Sequence, residues 1–423
     1  MPVDPALLDD LQWRGLIAHA TDLDALREAL VSGSVSFYVG FDPTAPSLHM
    51  GNLVQITTAR RLQDAGHTPY LLVGGATGMI GDPRDSGERT LNSADTVTEW
   101  VERIRRQIEP FLSFSGDNPA TMVNNLDWTG GLSVIDFLRD VGKHFPVNRM
   151  LARDTVKRRL ESGISFTEFS YFLLQSMDFL ELHRRHGIDL QFGGSDQWGN
   201  ITGGAELVRR STGDQVHAFA TPLVTKADGT KYGKTEGGAL WLDPEMMSPY
   251  AFHQFWLNVE DEKVGELLRI FTFLPRTEIE ALEARHAEKP FLREAQKVLA
   301  DAVTTFVHGA DETEQAKEAA AALFGGGDLA SLSPATLGSA LREAGVVTLD
   351  RSDGWPLLAD LFVSAGLVKS KGEARRTVSE GGAYLNNQRV EDAEASLTAD
   401  DLIGGSWLVL RRGKKKFAGV EVH

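Results

Sequence analysis

The sequence predicts an α/β protein whose N-terminal part contains a parallel sheet, and three observations support this prediction. Residues 35–40 and 69–74 are short apolar runs of the kind that form buried strands. Residues 50–65 between them are predicted to form a helix, which Gly66 ends. A strand, a loop, a helix and a second strand in this order open a parallel sheet, in which ligands bind at the carboxyl ends of the strands.

Domain organisation follows from changes in composition along the 423-residue chain. We assign residues 1–245 to the α/β domain, with residues 126–160 as an insertion within it. Residues 246–325 are predicted to form an all-helical domain, because Leu, Ala, Glu and Lys recur at three-to-four spacing. Residues 326–354, which start in a run of glycines, are predicted to form a linker region. Residues 355–423 are predicted to form a small α+β domain.

Composition excludes some classes of site and leaves others open. The absence of cysteine excludes disulfides, thiolate metal sites and cysteine nucleophiles. The net charge is −16, but residues 355–423 hold ten Lys/Arg against nine Asp/Glu, and the remainder holds 33 against 50. Because nucleic acids bind local basic patches, the acidic total does not exclude an RNA partner. Neither a signal peptide nor a membrane-spanning apolar run is evident, which predicts a cytoplasmic protein without a membrane partner.

A histidine stands at the start of the first predicted helix. His49 is followed by Gly51 and Asn52, and the loop before it contains Asp42 and Thr44. A helix start offers unpaired backbone N–H groups, and His49 and Asn52 add side-chain donors on one helical face. The pattern predicts a triphosphate site, in which Gly51 would let a nucleotide approach the backbone. An ordinary helix start capped by a histidine is the alternative.

A lysine-rich loop occurs much later in the chain. Residues 226–235 have the sequence KADGTKYGKT, in which Lys231, Lys234 and Thr235 are the candidate functional residues. A cationic loop of this kind can neutralise the negative charge that develops on phosphates during transfer. A solvated surface turn is the alternative.

The two patterns together resemble the two signature sequences of the class I aminoacyl-tRNA synthetases. Residues 49–52 resemble the HIGH signature, and residues 231–235 resemble the KMSKS signature. Residues 74–83, 171–178 and 191–200 narrow the resemblance to the bacterial tyrosyl-tRNA synthetases. The resemblance implies a Rossmann-like catalytic domain that activates L-tyrosine with ATP and transfers it to tRNA(Tyr). It also implies Mg²⁺ accompanying ATP, with neither a protein-held metal nor an organic cofactor.

The resemblance assigns a tyrosine pocket. Asp82, Tyr171 and Gln175 are implied to hold the amino end of the substrate tyrosine. Tyr38 and Asp178 are implied to hydrogen-bond its phenolic hydroxyl. Tyr171, Gln175 and Asp178 are spaced four and three residues apart, so they share one face of a helix. A buried pocket built to bind a hydroxyl rejects phenylalanine, because its own polar groups would be left unpaired.

Further roles follow from the same resemblance. Gln191 is implied to lie at the edge of the tyrosine pocket, and Arg84 and Arg89 are interpreted as a clamp for the leaving pyrophosphate. Many relatives have lysines rather than arginines in that loop. The residues implied to bind ATP or the adenylate are Asp42, Gly51, Asp196, Gln197 and Lys234. The residues implied to act on the phosphates are Thr44, His49, Asn52, Lys231, Lys234 and Thr235.

The remaining segments are interpreted by resemblance as parts that bind RNA or a second subunit. Residues 246–325 match the anticodon-side domain of the family, and residues 126–160, with Trp128, Phe137 and Phe145, match its dimerisation region, although these apolar residues could equally form core. The C-terminal domain resembles a small RNA-binding fold first named for a ribosomal protein, and a solvated charged face is the alternative. Its candidate tRNA-binding residues are Lys369, Lys371, Arg375, Arg376, Arg411, Arg412, Lys414 and Lys415.

Three alternatives remain open at this point. A tryptophanyl relative would share the fold and both signatures, but Tyr38 with Asp178 and the RNA-binding tail favour tyrosine. A nucleotidyltransferase that adenylylates a small metabolite would not need an RNA-binding tail. A non-catalytic RNA-binding descendant of a synthetase would not need His49, Lys231 and Lys234.

Overall fold

The protein folds into two compact units, as seen in a computed structural model that describes residues 3–83, 91–230, 234–235, 238–325, 327–413 and 416–423. The first unit comprises Met1–Met246 and Glu260–Ala295, and the second comprises Met247–Val259 and Gln296–His423. None of the helices within these described residues is long and apolar enough to cross a membrane.

The described residues form helices and strands along the whole chain. The helices, in chain order, are α1 Leu7–Trp13, α2 Leu23–Ser32, α3 Met50–Asp64, α4 Thr77–Ile80, α5 Ala94–Ile108, α6 Leu126–Thr129, α7 Val134–Asp136, α8 Val147–Leu151, α9 Asp154–Arg159, α10 Phe166–His186, α11 Trp198–Thr212, α12 Pro249–Leu257, α13 Val264–Phe271, α14 Arg276–Glu288, α15 Glu294–His308, α16 Ala310–Gly325, α17 Pro334–Ala344, α18 Leu358–Ser364 and α19 Lys371–Ser379. The strands are β1 His19–Ala20, β2 Ser36–Phe41, β3 Thr68–Val73, β4 Thr121–Asn124, β5 Leu190–Gly194, β6 His217–Thr221, β7 Lys234–Thr235, β8 Gly238–Ala239, β9 Val346–Leu349, β10 Ala383–Leu385, β11 Gln388–Arg389, β12 Trp407–Arg412 and β13 Lys416–Val422.

The first unit is built on a six-stranded sheet with the order β1-β6-β5-β2-β3-β4. Strands β2 to β6 run parallel, and β1 pairs antiparallel with β6 at one edge. The predicted strands correspond to β2 and β3, and the predicted helix between them is α3, so the α/β prediction is confirmed. The chain builds β3 and β4 on one side of β2 and β5 and β6 on the other. The order therefore reverses between β2 and β5, where a crevice for ligands forms at the carboxyl ends.

The core of this sheet is aromatic and aliphatic on both faces. Phe192 and Phe219 stack with their ring centroids 5.0 Å apart, and Phe37 packs beside Phe192 at 5.8 Å. Phe179 of α10 meets the Tyr38 ring edge-on at 5.3 Å. Helices α10 and α11 cover this region, and Gly203 lets them approach closely, because a Cβ atom there would lie 2.8 Å from Ser176 Oγ.

Two buried arginines attach α13 to the sheet domain. Arg14 donates to the carbonyls of Arg269 at 3.0 Å and Leu274 at 2.9 Å. Arg61 donates to the Thr272 carbonyl at 2.5 Å. These carbonyls belong to the last turn of α13 and the residues after it, which no longer have partners within the helix. The contacts explain why the segment 260–295 belongs to the first unit, although the sequence predicted one separate helical domain over 246–325.

The second unit combines α12, α15 and α16 with a five-stranded sheet of order β11-β10-β12-β13-β9. The segment 326–354 differs from the predicted linker, because it contains α17 and β9. Strand β9 pairs parallel with β13, with Val346 opposite Gly419. Helix α17 begins with a Ser333 cap and Pro334 and buries Leu341. The small C-terminal sheet therefore begins before residue 355.

Candidate active site

The predicted site residues gather at the carboxyl ends of the parallel strands. Of these, Asp42 follows β2 and Gln197 follows β5, and two residues that the sequence analysis did not single out, Thr77 and Asn125, follow β3 and β4. The pairing of β2 with β5 places Tyr38 directly beside Gln191. This is the edge where the strand order reverses, so the sequence prediction and the topology indicate the same crevice.

His49 caps the start of α3. Its Nδ1 atom accepts a hydrogen bond from the Gly51 N–H at 3.0 Å, and Asn52 Oδ1 accepts one from the His49 N–H at 3.0 Å. Because Nδ1 is an acceptor, the proton of the neutral ring lies on Nε2. Gly51 is required by this geometry, since a Cβ atom there would lie 2.9 Å from His49 Cε1.

The first backbone N–H groups of α3 are already paired, which corrects one prediction. The Met50 N–H donates to the Leu240 carbonyl at 3.0 Å, and the Gly51 N–H donates to the His49 ring. The expectation that unpaired N–H groups here bind a triphosphate is therefore wrong for these two residues. A phosphate at this position would meet side chains instead, with the imidazole of His49 foremost.

The segment after the lysine-rich loop lies against the start of α3. The Leu242 N–H donates to the Leu48 carbonyl at 2.9 Å, and His49 forms an antiparallel bridge with Trp241. Within the loop, β7 and β8 pair antiparallel. Residues 240–242, which follow the second signature sequence, are thus connected to the first signature at the start of α3.

Several predicted residues lie outside the described residues. They are Arg84, Arg89, Lys231, Lys414 and Lys415. For Lys234 and Thr235 the structure describes the strand but not the side chains. Thr44 is described and exposed beside Asp42. The predicted roles of all these residues remain predictions.

Asp178 is a buried carboxyl group held by two donors. Asn125 Nδ2 donates to one of its oxygens at 3.0 Å, and Trp128 Nε1 donates to the other at 2.9 Å. Burial raises the pKa of Asp178 from 3.8 to about 8, and the two hydrogen bonds oppose that rise. Trp128 is itself buried. Of the two interpretations left open for Trp128, dimer surface or core, its position supports core, because its indole faces Asp178 within one subunit.

Three buried oxygens in this crevice have no hydrogen-bond partner among the described residues. They belong to the Tyr38 hydroxyl, the Gln175 side chain and the Gln191 side chain. Gln55 of α3, which the sequence analysis did not single out, has a fourth such oxygen, while its Nε2 donates to Thr221 Oγ1 at 2.7 Å. Buried polar atoms are almost always paired in folded proteins. The unpaired oxygens of Tyr38 and Gln191, which are neighbours on adjacent strands, are therefore candidates for contact with a polar ligand.

A second carboxylate, Asp42, is held in the same network. Tyr171 donates its hydroxyl proton to Asp42 Oδ2 at 2.6 Å, and Thr77 Oγ1 donates to Asp42 Oδ1 at 2.6 Å. Thr77 Oγ1 in turn accepts from Asn125 Nδ2 at 2.9 Å, which also bonds Asp178. Burial, followed by the charges of Asp42 and Asp82, raises the pKa of Tyr171 well above 10.0. Tyr171 is thus neutral and surrounded by negative charge.

The glycine-rich loop after β3 makes room for these groups. A Cβ atom on Gly74 would collide with the Asp42 carboxylate and with Thr77. A Cβ atom on Gly78 would lie 2.6 Å from Pro43 Cγ. The prediction of a close-approach loop is consistent with this geometry, and the approaching group within the protein is Asp42.

A third carboxylate, Asp82, ends a separate chain of hydrogen bonds. Gln197 Nε2 donates to Asp82 Oδ2 at 3.0 Å, and Gln197 Oε1 accepts from Asn200 Nδ2 at 2.7 Å. Asp196, at the start of the same short turn, is exposed. Asn200 was not singled out from the sequence, because nothing in its spacing distinguishes it from other polar residues of a helix.

Three of the basic residues predicted to bind RNA already form ion pairs within the C-terminal domain. Each member of this group forms an ion pair with a carboxylate of the same domain. The pairs are Lys371 with Asp360 at 2.5 Å, Arg375 with Glu394 at 2.6 Å and Arg412 with Glu373 at 2.9 Å.

Other members of the set are more accessible. Lys369 and Arg376 are exposed, and no ion pair is recorded for either within the described part of the chain. The guanidinium of Arg411 lies 4.3 Å from the centroid of the Tyr384 ring. The roles of all these residues in RNA binding remain predictions.

Comparison with known proteins places these observations in a family. Residues 32–325 match the family described as tRNA synthetases class I (W and Y). Residues 341–420 match the tyrosine–tRNA ligase SYY-like C-terminal domain. The tyrosine–tRNA ligase of Streptomyces coelicolor is 61% identical over 419 residues, which cover 98% of this chain and 99% of the relative.

Solved structures agree with this assignment. A C-terminally truncated mitochondrial tyrosyl-tRNA synthetase from Aspergillus nidulans is 30% identical with a TM-score of 0.66, covering 73% of this chain and 92% of that one. Its counterpart from Coccidioides posadasii is 32% identical with a TM-score of 0.65, covering 73% and 90%. Because the family match spans more than half of the sequence and a relative is similar over nearly the full length, the chain belongs to the class I tRNA synthetases of the tryptophan and tyrosine group.

Proposed function

We propose that this family member is a tyrosine–tRNA ligase that works in the cytoplasm. It activates L-tyrosine with ATP and then transfers the tyrosyl group to tRNA(Tyr). The choice of tyrosine rests on one observation: the Tyr38 hydroxyl has no hydrogen-bond partner among the described residues, and the Asp178 carboxyl group is buried. A phenolic hydroxyl between them would donate to Asp178 and accept from Tyr38, which satisfies both groups.

The amino end of the substrate is proposed to lie against Tyr171, Gln175 and Asp82. The proton of Tyr171 is used on Asp42, so its hydroxyl oxygen is an acceptor for an ammonium N–H. The charges of Asp42 and Asp82 both act on Tyr171. An ammonium group there would be attracted by these two carboxylates.

Adenylate formation is proposed to occur beside the start of α3. The tyrosine carboxylate attacks the α-phosphorus of ATP, the bond to the β-phosphate oxygen breaks, and pyrophosphate leaves. His49, Asn52 and Thr44, with Lys231, Lys234 and Thr235, are proposed to stabilise the charge that develops on the phosphates. Arg84 and Arg89 are proposed to hold the pyrophosphate. Asp42, Gly51, Asp196, Gln197 and Lys234 are proposed to bind ATP or the adenylate.

Magnesium is proposed to enter as part of the MgATP substrate. Among the described residues, no group of three His, Asp or Glu side chains could hold a metal ion. Mg²⁺ keeps several water ligands and is commonly bound through substrate phosphates. The chain's own contribution is the position and charge of the side chains around those phosphates.

A homodimer is proposed from the apolar surface of the insertion at residues 126–160 and its flank. Val134 is 72% exposed, Ile135 is 70%, Val147 is 61% and Phe166 is 74%. Large apolar side chains grouped in this way mark interaction surfaces. A second copy of the chain is the partner that the family resemblance favours, and sedimentation velocity measures whether it binds.

The first test of the function is ATP–pyrophosphate exchange without tRNA, with each amino acid supplied separately. Tyrosine should support exchange, and phenylalanine and tryptophan should not, because only tyrosine fills the space between Tyr38 and Asp178 with a hydroxyl. Exchange driven by tryptophan would instead support the other branch of the family, and no exchange with any amino acid would remove the ligase proposal.

Replacing Tyr38 with phenylalanine should separate stability from activity. The Tyr38 hydroxyl has no partner in the empty site, so Tyr38→Phe should leave the melting temperature unchanged or raise it. The KM for tyrosine in pyrophosphate exchange should rise about tenfold, as expected for loss of one hydrogen bond of roughly 1.4 kcal/mol. Tyr70→Phe, on the adjacent strand in register with Tyr38, is the control and should leave this KM unchanged. A Tyr38→Phe variant with wild-type KM would contradict the assignment.

The affinity for tyrosine should depend on pH through Asp178. Its pKa of about 8 means that the empty site is protonated at neutral pH. The substrate hydroxyl donates to the ionised form, so binding releases a proton and tightens as the pH rises from about 6.5 to about 8. Titration calorimetry in buffers of different ionisation enthalpy measures both effects. In Asp178→Asn the pH dependence should disappear, and an equally steep dependence in that variant would assign it to another group.

The tRNA proposal concerns Lys369 and Arg376. Replacing both with alanine should lower kcat/KM for tRNA about five- to tenfold at moderate salt, because each cation neutralises a phosphate. Pyrophosphate exchange without tRNA should be unchanged. Arg342→Ala is the control, since its guanidinium lies over Trp407 and pairs with Glu421. Equal loss of exchange and charging in the double variant would contradict a role specific to RNA.

A further inference from the structure

Arg153 lies beside the proposed tyrosine site and has no role in the assignments above. Its Nη2 atom donates to Asn200 Oδ1 at 2.6 Å, and its guanidinium carbon lies 3.8 Å from the centroid of the Phe172 ring. Burial lowers the pKa of Arg153, and the charge of Asp82 opposes that change. An arginine held by a stacked ring and one short hydrogen bond has little rotational freedom.

The hydrogen bond from Arg153 continues without interruption to Asp82. Asn200 Nδ2 donates to Gln197 Oε1 at 2.7 Å, and Gln197 Nε2 donates to Asp82 Oδ2 at 3.0 Å. Asn200 is 3% exposed, so water does not easily replace a lost partner. The chain therefore connects a cation to the carboxylate proposed to bind the substrate ammonium group.

The direction of this chain is fixed by its two ends. A guanidinium can only donate and a carboxylate can only accept, whereas each amide between them can turn either way. Arg153 turns the oxygen of Asn200 toward itself, so the NH₂ group of Asn200 faces Gln197. Gln197 must then present its oxygen to Asn200 and its NH₂ group to Asp82. Without the arginine, the buried Asn200 oxygen is left unpaired, and nothing at this end of the chain fixes which way the Asn200 amide is turned.

Gly199 makes the contact possible. A Cβ atom at this position would lie 3.0 Å from Arg153 Nη2 and 3.6 Å from its Cζ. A larger residue would push the guanidinium away from Asn200. The backbone at the start of α11 is thus shaped to admit the arginine between Asn200 and Phe172.

We propose that Arg153 is a positioning residue for tyrosine binding, acting through Asn200 and Gln197 on Asp82. This inference rests on the proposed function, in which Asp82 holds the amino group of the substrate tyrosine and Gln197 binds ATP or the adenylate. Arg153 sets the orientation of the Gln197 amide, and that amide holds the Asp82 carboxylate toward the ammonium group. It contacts neither the substrate tyrosine nor the phosphates.

The test is a double-mutant cycle in the full-length protein, read by tyrosine-dependent pyrophosphate exchange. Arg153→Met keeps the stacked aliphatic bulk and removes the donors. It should raise the KM for tyrosine about five- to tenfold while kcat and the KM for ATP change less than about twofold. Arg153→Lys, which restores a donor, should recover most of the wild-type KM. In the Gln197→Ala background, Arg153→Met should add less than about twofold, because the residue it acts through is gone.

Three other outcomes would each contradict one part of this proposal. An unchanged effect of Arg153→Met in the Gln197→Ala background means a direct contact with substrate or RNA and overturns the positioning role. If Arg153→Met lowers kcat, raises the KM for tyrosine and for ATP, and lowers the melting temperature together, Arg153 has a structural role only. A wild-type tyrosine KM in Gln197→Ala overturns the route through Gln197 to Asp82, while the proposed function is tested separately by pyrophosphate exchange in the wild-type protein. Arg106→Met, an exposed arginine on α5, is the control for loss of one surface charge and should behave as wild type.

Discussion

The site depends on keeping carboxylates in a place that water hardly reaches. Asp178 is 1% exposed and survives there because Asn125 and Trp128 each donate to one of its oxygens. Asn125 also donates to Thr77, which donates to Asp42, so the two carboxylates share one network. An unpaired buried charge would cost several kcal/mol. The loops after β3 and β4 are therefore fixed by the need to supply these donors, and α10 is fixed by carrying Asp178.

The sheet was predictable from the sequence because its signals are local. The strands and the helix can each be recognised from their own residues: two apolar runs, and between them a loop and a helix that ends at a glycine. The face shared by Tyr171, Gln175 and Asp178 was predictable for the same reason, since helical spacing alone places them together. The partners of Asp178 were not, because Asn125 and Trp128 lie more than 45 residues away and meet it only through the strand order. The sequence therefore left Trp128 open between interface and core.

Charge patterns in the sequence were less reliable than apolar patterns. Lys371, Arg375 and Arg412 belong to a basic run, yet each faces a carboxylate of the same domain. The sequence shows how many cations a segment has but not which ones its own acids occupy. The same reasoning explains the error at His49. A helix start in isolation has free N–H groups, but here the imidazole of His49 and the Leu240 carbonyl accept from the first two of them.

The empty pocket is a local source of instability. Burial raises the pKa of Asp178 to about 8. An unfolded chain ionises the same group near 3.8, so the folded state binds more protons between about pH 4 and pH 8 and loses stability as the pH rises through that window. The unpaired oxygens of Tyr38, Gln175 and Gln191 add a further cost that no neighbour relieves. A ligand that supplies a hydroxyl to Tyr38 and Asp178 recovers part of this free energy, whereas phenylalanine occupies the same space and leaves it unrecovered. Under the proposed function, discrimination against phenylalanine comes from polar groups that folding leaves unsatisfied, and a pocket optimised for the stability of the empty protein would lose it.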